Sequence, residues 1–110
     1  MTVKEFAEKL SCKVCAGAQG MDKEINGCYV CDLLSYAMSH AAEGNVWITV
    51  QTNINVIAVA VLTEVGCVVL PEGLTPDEIA AAKAEEEGVP VLSSKLTAYE
   101  IITEFNHLIG

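Results

Sequence analysis

Glycines recur in this chain at a constant step of 22 residues, at Gly44, Gly66, Gly88 and Gly110. The first three are each followed within two residues by a segment rich in β-branched apolar side chains, the composition of a strand. A step of this length holds one strand and one helix, and each glycine suits the left-handed residue that ends many helices. The pattern predicts strands at 46–52, 67–71 and 89–93, with a less regular first strand at 10–16.

The segments between the predicted strands carry helix signals. Apolar residues at helical spacing predict a helix over 30–41 and another over 101–109. The segment 54–62, INVIAVAVL, is apolar nearly all round, which suits a helix that covers a sheet and also meets a partner. Three threonines each precede a glutamate by three residues, the capping-box pattern of helix starts: Thr2 with Glu5, Thr75 with Glu78, and Thr97 with Glu100. Pro76 adds the proline favoured at the first helical position.

Helices and strands therefore alternate along the chain, beginning and ending with a helix. Strands joined by crossover helices run largely parallel, and right-handed connections distribute the helices over the sheet. We predict an α/β fold, a three-layer α/β/α sandwich with a mostly parallel sheet of about four strands, forming a single domain over residues 1–110. The hydrophobic content of 52% is enough for one conventional core without metal or disulfide staples.

Charge and hydropathy exclude several classes of partner. The formal net charge is −9 with only six basic side chains, so we expect repulsion of nucleic-acid phosphates and no nucleic-acid partner. The longest apolar run, 56–62, is far shorter than the roughly 20 residues of a membrane-spanning helix, so we expect no membrane insertion. The cysteine count is odd and the amino terminus lacks a secretory signal, which favours a reduced, cytoplasmic protein with free thiols.

Four of the five cysteines form two C-x-x-C pairs: Cys12 with Cys15, and Cys28 with Cys31. A metal or iron–sulfur site on these four thiols is one interpretation, but such sites use a tight turn after the first Cys of each pair. Lys13 and Val14 favour extended chain instead, and neither Gly nor Pro follows Cys31. Along a strand, three residues is an odd offset, so Cys12 and Cys15 are expected on opposite faces. Buried or loop-lining thiols are the leading interpretation, with no metal and no cofactor. Cys31, at the amino terminus of a predicted helix, is the redox candidate, and Cys67 is expected in the core.

In an open parallel sheet, ligands bind beyond the carboxyl ends of the strands, where helix amino termini present free N–H groups. Polar or small residues follow every predicted strand, and a glycine loop over 27–32 is expected to join the same rim. For Thr52 and Asn53 a helix-capping role is an equally open interpretation, and the serines are also turn residues. For Asp32 a helix cap is favoured over a catalytic acid. The candidate ligand-binding residues are Gly17, Gly27, Asp32, Thr52, Asn53, Asn55, Glu72, Ser93 and Ser94.

No catalytic motif occurs in the sequence. The phosphate-binding G-x-x-x-x-G-K-[ST] loop, the G-x-S-x-G nucleophile motif and the H-E-x-x-H metal motif are all absent. A non-catalytic binding module is therefore favoured over an enzyme. The catalytic alternative is a small transferase or hydrolase that uses Asp32 and Ser35.

Three segments and their mutual spacing resemble the DRTGG domain family. They are Y-V-x-D-L-L-S at 29–35, W-I-T-x-Q-T at 47–52, and E-E-G-V-P-V-L-S at 86–93. The resemblance covers nearly the whole chain. The chain has no literal Asp-Arg-Thr-Gly-Gly, and its nearest counterpart to that turn holds Asn26, Gly27 and Cys28.

The resemblance implies an α/β regulatory domain related to the amino-terminal domain of HPr kinase/phosphorylase. Such domains also lie between CBS domains in a class of inorganic pyrophosphatases, in what look like nucleotide-responsive dimers. The resemblance therefore implies a homodimer here. The free N–H groups and partial positive charge of helix amino termini at the strand ends favour a small anionic or nucleotide-like ligand, such as an adenine nucleotide. Family members called kinases owe that activity to a separate P-loop domain, which this sequence lacks.

Overall fold

The computed structural model describes residues 1–109, which form five α-helices and five strands. The helices are α1 (Val3–Lys9), α2 (Leu34–His40), α3 (Ile54–Thr63), α4 (Glu78–Glu87) and α5 (Ala98–Ile109). The strands are β1 (Lys13–Ala16), β2 (Gly27–Val30), β3 (Asn45–Ile48), β4 (Cys67–Leu70) and β5 (Val91–Ser93). A short 3₁₀ helix covers Ala18–Gly20.

The strands form one sheet in the order β1-β5-β4-β3-β2. The four strands β2 to β5 run parallel, and β1 pairs antiparallel with β5. The predicted α/β fold with a mostly parallel sheet is confirmed. Five strands occur instead of about four, because residues 27–30 form a strand where the sequence predicted a loop that leads into a helix.

Helices cover both faces of the sheet, which gives the predicted three layers. Alternate residues of each strand face opposite sides, so two separate cores form. Helices α2, α3 and α4 pack on one face around Trp47 and Val68. Helices α1 and α5 pack on the other, where Phe6 and Phe105 meet edge to face with ring centroids 5.8 Å apart. The four parallel strands all end at the same edge of the sheet, between these two cores.

Two of the three predicted capping boxes are confirmed. Thr2 caps α1 reciprocally with Glu5, and Thr97 and Glu100 exchange the same pair of hydrogen bonds at α5. The third is wrong, because α4 begins only at Glu78 and its cap position is Asp77, whose side chain makes no capping bond.

The glycine prediction holds for one of three testable positions. Gly88 ends α4 in the left-handed conformation at φ 70°. At the end of α3 that conformation falls on Glu64, at φ 58°, and α2 ends in the extended residue Ala41, so Gly66 and Gly44 do not terminate helices. Gly110 lies outside the described residues. No helix within residues 1–109 is long and apolar enough to cross a membrane.

Candidate functional site

The four parallel strands end at one edge of the sheet, which we call the carboxyl edge. The loops that begin there lead into α2, α3, α4 and α5, so residues distant in sequence meet along this edge. The structure brings seven of the nine predicted ligand-binding residues to it: Asp32, Thr52, Asn53, Asn55, Glu72, Ser93 and Ser94.

The other two candidates, Gly17 and Gly27, lie at the opposite edge. Gly17 follows β1, which runs against the other strands, and it packs against the backbone at Val89, just before β5. Gly27 is the first residue of β2 and pairs with Asn45, the first residue of β3. The predicted rim that joined these glycines to the other residues is therefore wrong, because it assumed a parallel β1 and a loop at 27–30.

Asp32 is the centre of a hydrogen-bond network at the ends of β2 and β3. Its Oδ1 accepts from the Thr49 hydroxyl and from the Val50 amide, each at 2.9 Å. Its backbone carbonyl accepts from the Gln51 side-chain amide at 3.0 Å. The expected capping role for Asp32 is wrong, because the cap position of α2 is Leu33 and no side chain caps that helix.

The network continues from Gln51 to the start of α3. The Gln51 Oε1 accepts from the Asn53 side-chain amide at 3.1 Å, and Asn53 Oδ1 accepts from the Asn55 backbone amide at 2.9 Å, which caps α3. Thr52 belongs to a separate contact, in which its hydroxyl donates to Asp77 Oδ1 at 3.0 Å. The Asn53 cap predicted from the sequence is thus present, and the Thr52 hydroxyl ties the α3 loop to the α4 loop.

The serines at the end of β5 fasten neighbouring loops. The Ser93 hydroxyl donates to the Leu74 carbonyl at 2.6 Å, and the Ser94 hydroxyl accepts from the Leu96 amide at 3.1 Å. Both serines are buried. Glu72 differs, because its amide donates to the Leu96 carbonyl at 2.9 Å while its side chain is exposed. The serine hydroxyls therefore serve the fold, and Glu72 adds negative charge to the surface.

The interior beneath the carboxyl edge is filled. Thr52, Asn53 and Pro76 close over Val68 and Leu70, and the space between them does not admit a water molecule. A ligand at this edge would therefore lie on its outer surface. That surface combines the network around Asp32 with the exposed apolar side chains of Leu33 and Val50, which flank it in sequence.

Two larger hollows lie elsewhere. One, of about 500 Å³, opens at the amino edge of the sheet and is lined by the carboxylates of Glu24, Glu43, Glu64 and Glu87 with Lys23 as its one cation. Its charge opposes anionic ligands. The other, of about 620 Å³, is an open groove between α1 and β1, with a mixed lining of small apolar and charged side chains.

Sequence reasoning did not select Thr49, Gln51 or Asp77 as site residues. Thr49 carried a usable signal, because a polar residue directly after a buried strand must find a hydrogen-bond partner. It is 1% exposed and uses the Asp32 carboxylate. The contact between Asp77 and Thr52 had no local signal, since the two residues belong to different loops that only the sheet brings together.

A comparison with models of protein families matches residues 5–108 to the DRTGG domain. This chain belongs to the DRTGG domain family. The three segments that carried the resemblance lie within the match and form structural parts of the domain. The second, 47–52, supplies the buried Trp47 together with Thr49 and Gln51 of the network. A comparison with curated proteins finds no match.

A solved structure that is similar to this DRTGG domain comprises the CBS and DRTGG domains of the regulatory region of Clostridium perfringens pyrophosphatase, complexed with the activator diadenosine tetraphosphate. The two chains share 12% sequence identity with a TM-score of 0.71. The similarity covers 91% of this chain and 44% of the other, so this chain spans less than half of that protein's length. At this identity the likeness establishes the fold alone.

The cysteines of this DRTGG domain do not converge on one point. Cys28 packs in the core beneath α1 and α5, whereas Cys31 packs on the opposite face, beside α2. Cys12, next to β1, contacts the same core as Cys28 of β2, although these two strands lie at opposite ends of the strand order. Cys67 is fully buried in that core, as predicted. Within residues 1–109, no three His, Cys, Asp or Glu side chains are grouped to hold a metal ion. The geometry gives the alternative of a four-thiolate metal or iron–sulfur site no support.

The catalytic alternative also lacks a supporting contact. Ser35 lies in the first turn of α2 with an exposed side chain, and Asp32 spends its Oδ1 on Thr49 and Val50. In the described part of the chain, Asp32 makes no hydrogen bond to Ser35.

We predict that alkaline pH weakens the fold through two half-buried thiols. Burial raises the pKa of Cys12 and of Cys28 from the ordinary 9.0 to about 11. A group with a raised pKa in the folded state contributes stability that is fully present below its unfolded-state pKa and is lost as pH rises through the folded-state value. The free energy of unfolding should therefore be constant up to about pH 9 and fall towards pH 11. Urea titrations across this range measure it.

The matched variant for this prediction is Cys12→Ala with Cys28→Ala. Every other side chain is the same in both proteins, so the difference between the two curves isolates these two thiols. We expect a shallower alkaline fall in the variant. Parallel curves for the two proteins would show that the thiols do not contribute.

Proposed function

We propose that this chain is a non-catalytic regulatory domain that binds a small anionic or nucleotide-like ligand on its carboxyl edge and acts as a cytoplasmic homodimer. The observation that carries the proposal is the polar network of Asp32, Thr49, Gln51 and Asn53 beside exposed apolar side chains. Membership of the DRTGG family supports a regulatory role, and the similar solved structure belongs to a regulatory region in complex with a dinucleotide activator. Its five free cysteines suit a reducing compartment.

The end of the edge formed by β2 and β3 suits an uncharged ring. Ligand sites typically combine apolar surface with a few convergent polar groups that fix orientation. Leu33 and Val50 offer the apolar surface, with 64% and 47% of each residue exposed. Both hydrogen bonds to the Asp32 carboxylate use Oδ1. Oδ2 can therefore accept a hydrogen bond from the amino group of a base or from a ribose hydroxyl.

The end of the edge formed by β5 suits a phosphate. Lys95 follows Ser94 and is exposed, and Lys13 lies beside it, because Lys13 of β1 pairs with Ser93. Two strand spacings separate β3 from β5, roughly 10 Å, which is comparable with the length of a mononucleotide. The exposed carboxylate of Glu72 lies between the two ends and opposes dense negative charge. We therefore favour a ligand with one or two phosphates, such as an adenine nucleotide, over a polyanion.

The test is a thermal-shift screen of adenine nucleotides and phosphorylated metabolites on the folded chain. A ligand that binds only the folded state at a hundredfold excess over Kd stabilises it by about 2.7 kcal/mol. For a chain of this length, that corresponds to a rise in Tm of roughly 10 °C. Absence of any shift across the screen would remove the ligand and leave a protein–protein interaction domain as the better function.

Two surface variants locate the site. Val50→Asp should abolish the shift by placing a charge on the apolar surface, and Lys95→Ala should reduce it for phosphorylated ligands only. Lys9→Ala is the matched control, since it removes an exposed lysine at the end of α1 and should leave the shift unchanged. Equal shifts in all three variants would place the ligand elsewhere on the molecule, with the amino-edge cavity and the α1–β1 groove as the remaining candidates.

A further inference from the structure

Helix α3 exposes an apolar stripe to solvent. The helix buries Val56, Ile57, Val59 and Ala60 against the sheet. Its outward side chains at helical spacing are Ile54, Ala58, Val61 and Leu62, which we call the α3 stripe, and all four are exposed. A surface helix normally presents polar side chains to water, so this face has the composition of a buried one.

The α3 stripe itself carries no charge, and acidic side chains approach it at the Val61 end, where Val61 lines the amino-edge cavity with Glu43 and Glu64. The segment from Gly44 to Thr63 contains no Asp, Glu, Lys or Arg, and 25–42 contains only Asp32. Helix α2, which packs beside α3, exposes Tyr36 and Met38 instead of charged groups. On the other side of α3, helix α4 carries five charged side chains: Glu78, Lys83, Glu85, Glu86 and Glu87.

We infer that the α3 stripe, with the adjoining apolar surface of α2, is the interface through which two copies of this chain form a homodimer. This assignment rests on the dimer included in the proposed function and gives it a surface. Each copy carries a net charge of −9, so most orientations bring carboxylates together. Contact along Ile54, Ala58 and Leu62, which do not line the acidic cavity beside Val61, lets two such copies touch without burying an unpaired carboxylate. A basic partner would gain more from the acidic surface of α4.

The spacing within the α3 stripe is self-complementary. Ile54 and Leu62 lie four residues before and after Ala58, which is the smallest side chain of the stripe. Two copies of α3 packed antiparallel about a two-fold axis near Ala58 would place Leu62 of one copy against Ile54 of the other. A small residue at the crossing point lets the two helices approach closely, and the larger side chains then fill the space on either side.

The test replaces two exposed aliphatic residues, Leu62 on α3 and Ile79 on the neighbouring α4, and measures dimer affinity. Leu62 is 65% exposed on α3 and Ile79 is 69% exposed on α4, so neither substitution disturbs the monomer core. We choose Leu62→Lys and Ile79→Lys, because added positive charge makes the net charge less negative and cannot dissociate a dimer by general repulsion. Sedimentation across a concentration series should show a dimer for the unmodified chain and for Ile79→Lys. The dissociation constant of Leu62→Lys should rise at least tenfold.

The possible failures are distinguishable. A dimer of unchanged affinity in Leu62→Lys overturns the assignment of the α3 stripe but leaves the proposed dimer in place. An unmodified chain that sediments as a monomer at every concentration overturns both, while the ligand screen still tests the rest of the proposed function. Equal weakening by Leu62→Lys and Ile79→Lys also overturns the stripe. Met38→Lys on α2 provides a second variant, expected to weaken the dimer in the same direction, with circular dichroism confirming that each variant is folded.

Discussion

Replacing Trp47 by alanine should cost about 4–6 kcal/mol of folding free energy, a large fraction of the stability of a domain of this size. Trp47 is 0% exposed and lies between Tyr29 and Val68 on the two neighbouring strands. Truncating a buried aromatic side chain to alanine typically costs 3–5 kcal/mol. The Trp47 Nε1 also donates to the Cys31 carbonyl at 3.0 Å, and leaving that acceptor without its partner adds about 1 kcal/mol or more. Native domains are stable by only about 5–15 kcal/mol in total.

Urea denaturation followed by circular dichroism measures this prediction, since the only tryptophan is lost in the variant. Trp47→Phe separates the two contributions, because it retains an aromatic ring and removes only the indole N–H and part of the volume. We expect an intermediate loss for it. Tyr99→Ala is the control, at 78% exposed on α5, and should change stability by less than about 0.5 kcal/mol. A cost for Trp47→Ala near that of Tyr99→Ala would contradict the description of this core.

The three regular strands predicted from the sequence, which correspond to β3, β4 and β5, are those buried on both faces. All four residues of β4 and all three of β5 are buried, so both faces require apolar side chains and the strand appears as a continuous β-branched run. β2 was not predicted because it is not buried on both faces. It is an edge strand with β3 as its single partner, and its residues are half-buried or exposed, so its sequence Gly-Cys-Tyr-Val lacks the apolar run.

The missed strand also explains why β1 was assigned the wrong direction. Without β2, helix α2 looked like the crossover between the first and second strands, and a crossover requires parallel strands. The actual connection, residues 17–26, contains only a 3₁₀ turn and pairs with the amino terminus along the amino edge. β1 therefore ends at the edge where β2 begins, and the two run in opposite directions. The polar connection of ten residues, too short for a crossover helix, was the sequence signal for an antiparallel β1.

The candidate site was predictable in position but not in detail. Parallel strands place their following loops at one edge, which is a property of the topology, so six candidate residues were located there from strand boundaries alone. Asp32 was placed there through the loop predicted at 27–32, although it follows the strand β2 that the sequence did not predict. Which partners these residues choose depends on distances across the sheet. Asp32 accepts a hydrogen bond from Thr49 because β2 and β3 are neighbouring strands. Thr52 donates to Asp77 because α3 and α4 are neighbouring helices. The local sequence does not reveal which strands or helices are neighbours.

The second large effect is expected from Gly17→Ala, set against Gly73→Ala. Both glycines have nearly the same left-handed backbone conformation, with φ 74° at Gly17 and φ 75° at Gly73. An alanine in that conformation costs roughly 1–2 kcal/mol at either position. The surroundings differ, because a Cβ on Gly17 would lie 1.9 Å from the Val89 carbonyl oxygen, whereas a Cβ on Gly73 would meet nothing within 4 Å.

The Gly17 clash is with backbone, so no side-chain rotation can relieve it. β1 would have to move away from β5, which breaks the antiparallel pairing next to Ala16 and the hydrogen bond from the Gly17 amide to Glu85 Oε1 at 2.5 Å. We expect Gly73→Ala to lower the free energy of unfolding by about 1 kcal/mol and Gly17→Ala to lower it by more than about 4 kcal/mol, a loss that only strong mechanisms such as steric overlap in the core produce. Paired urea titrations measure the difference. Equal losses of stability in the two variants would contradict the prediction. They would show that β1 can move away from β5 at little cost and that the close approach of Gly17 to Val89 does not hold this edge of the sheet in place.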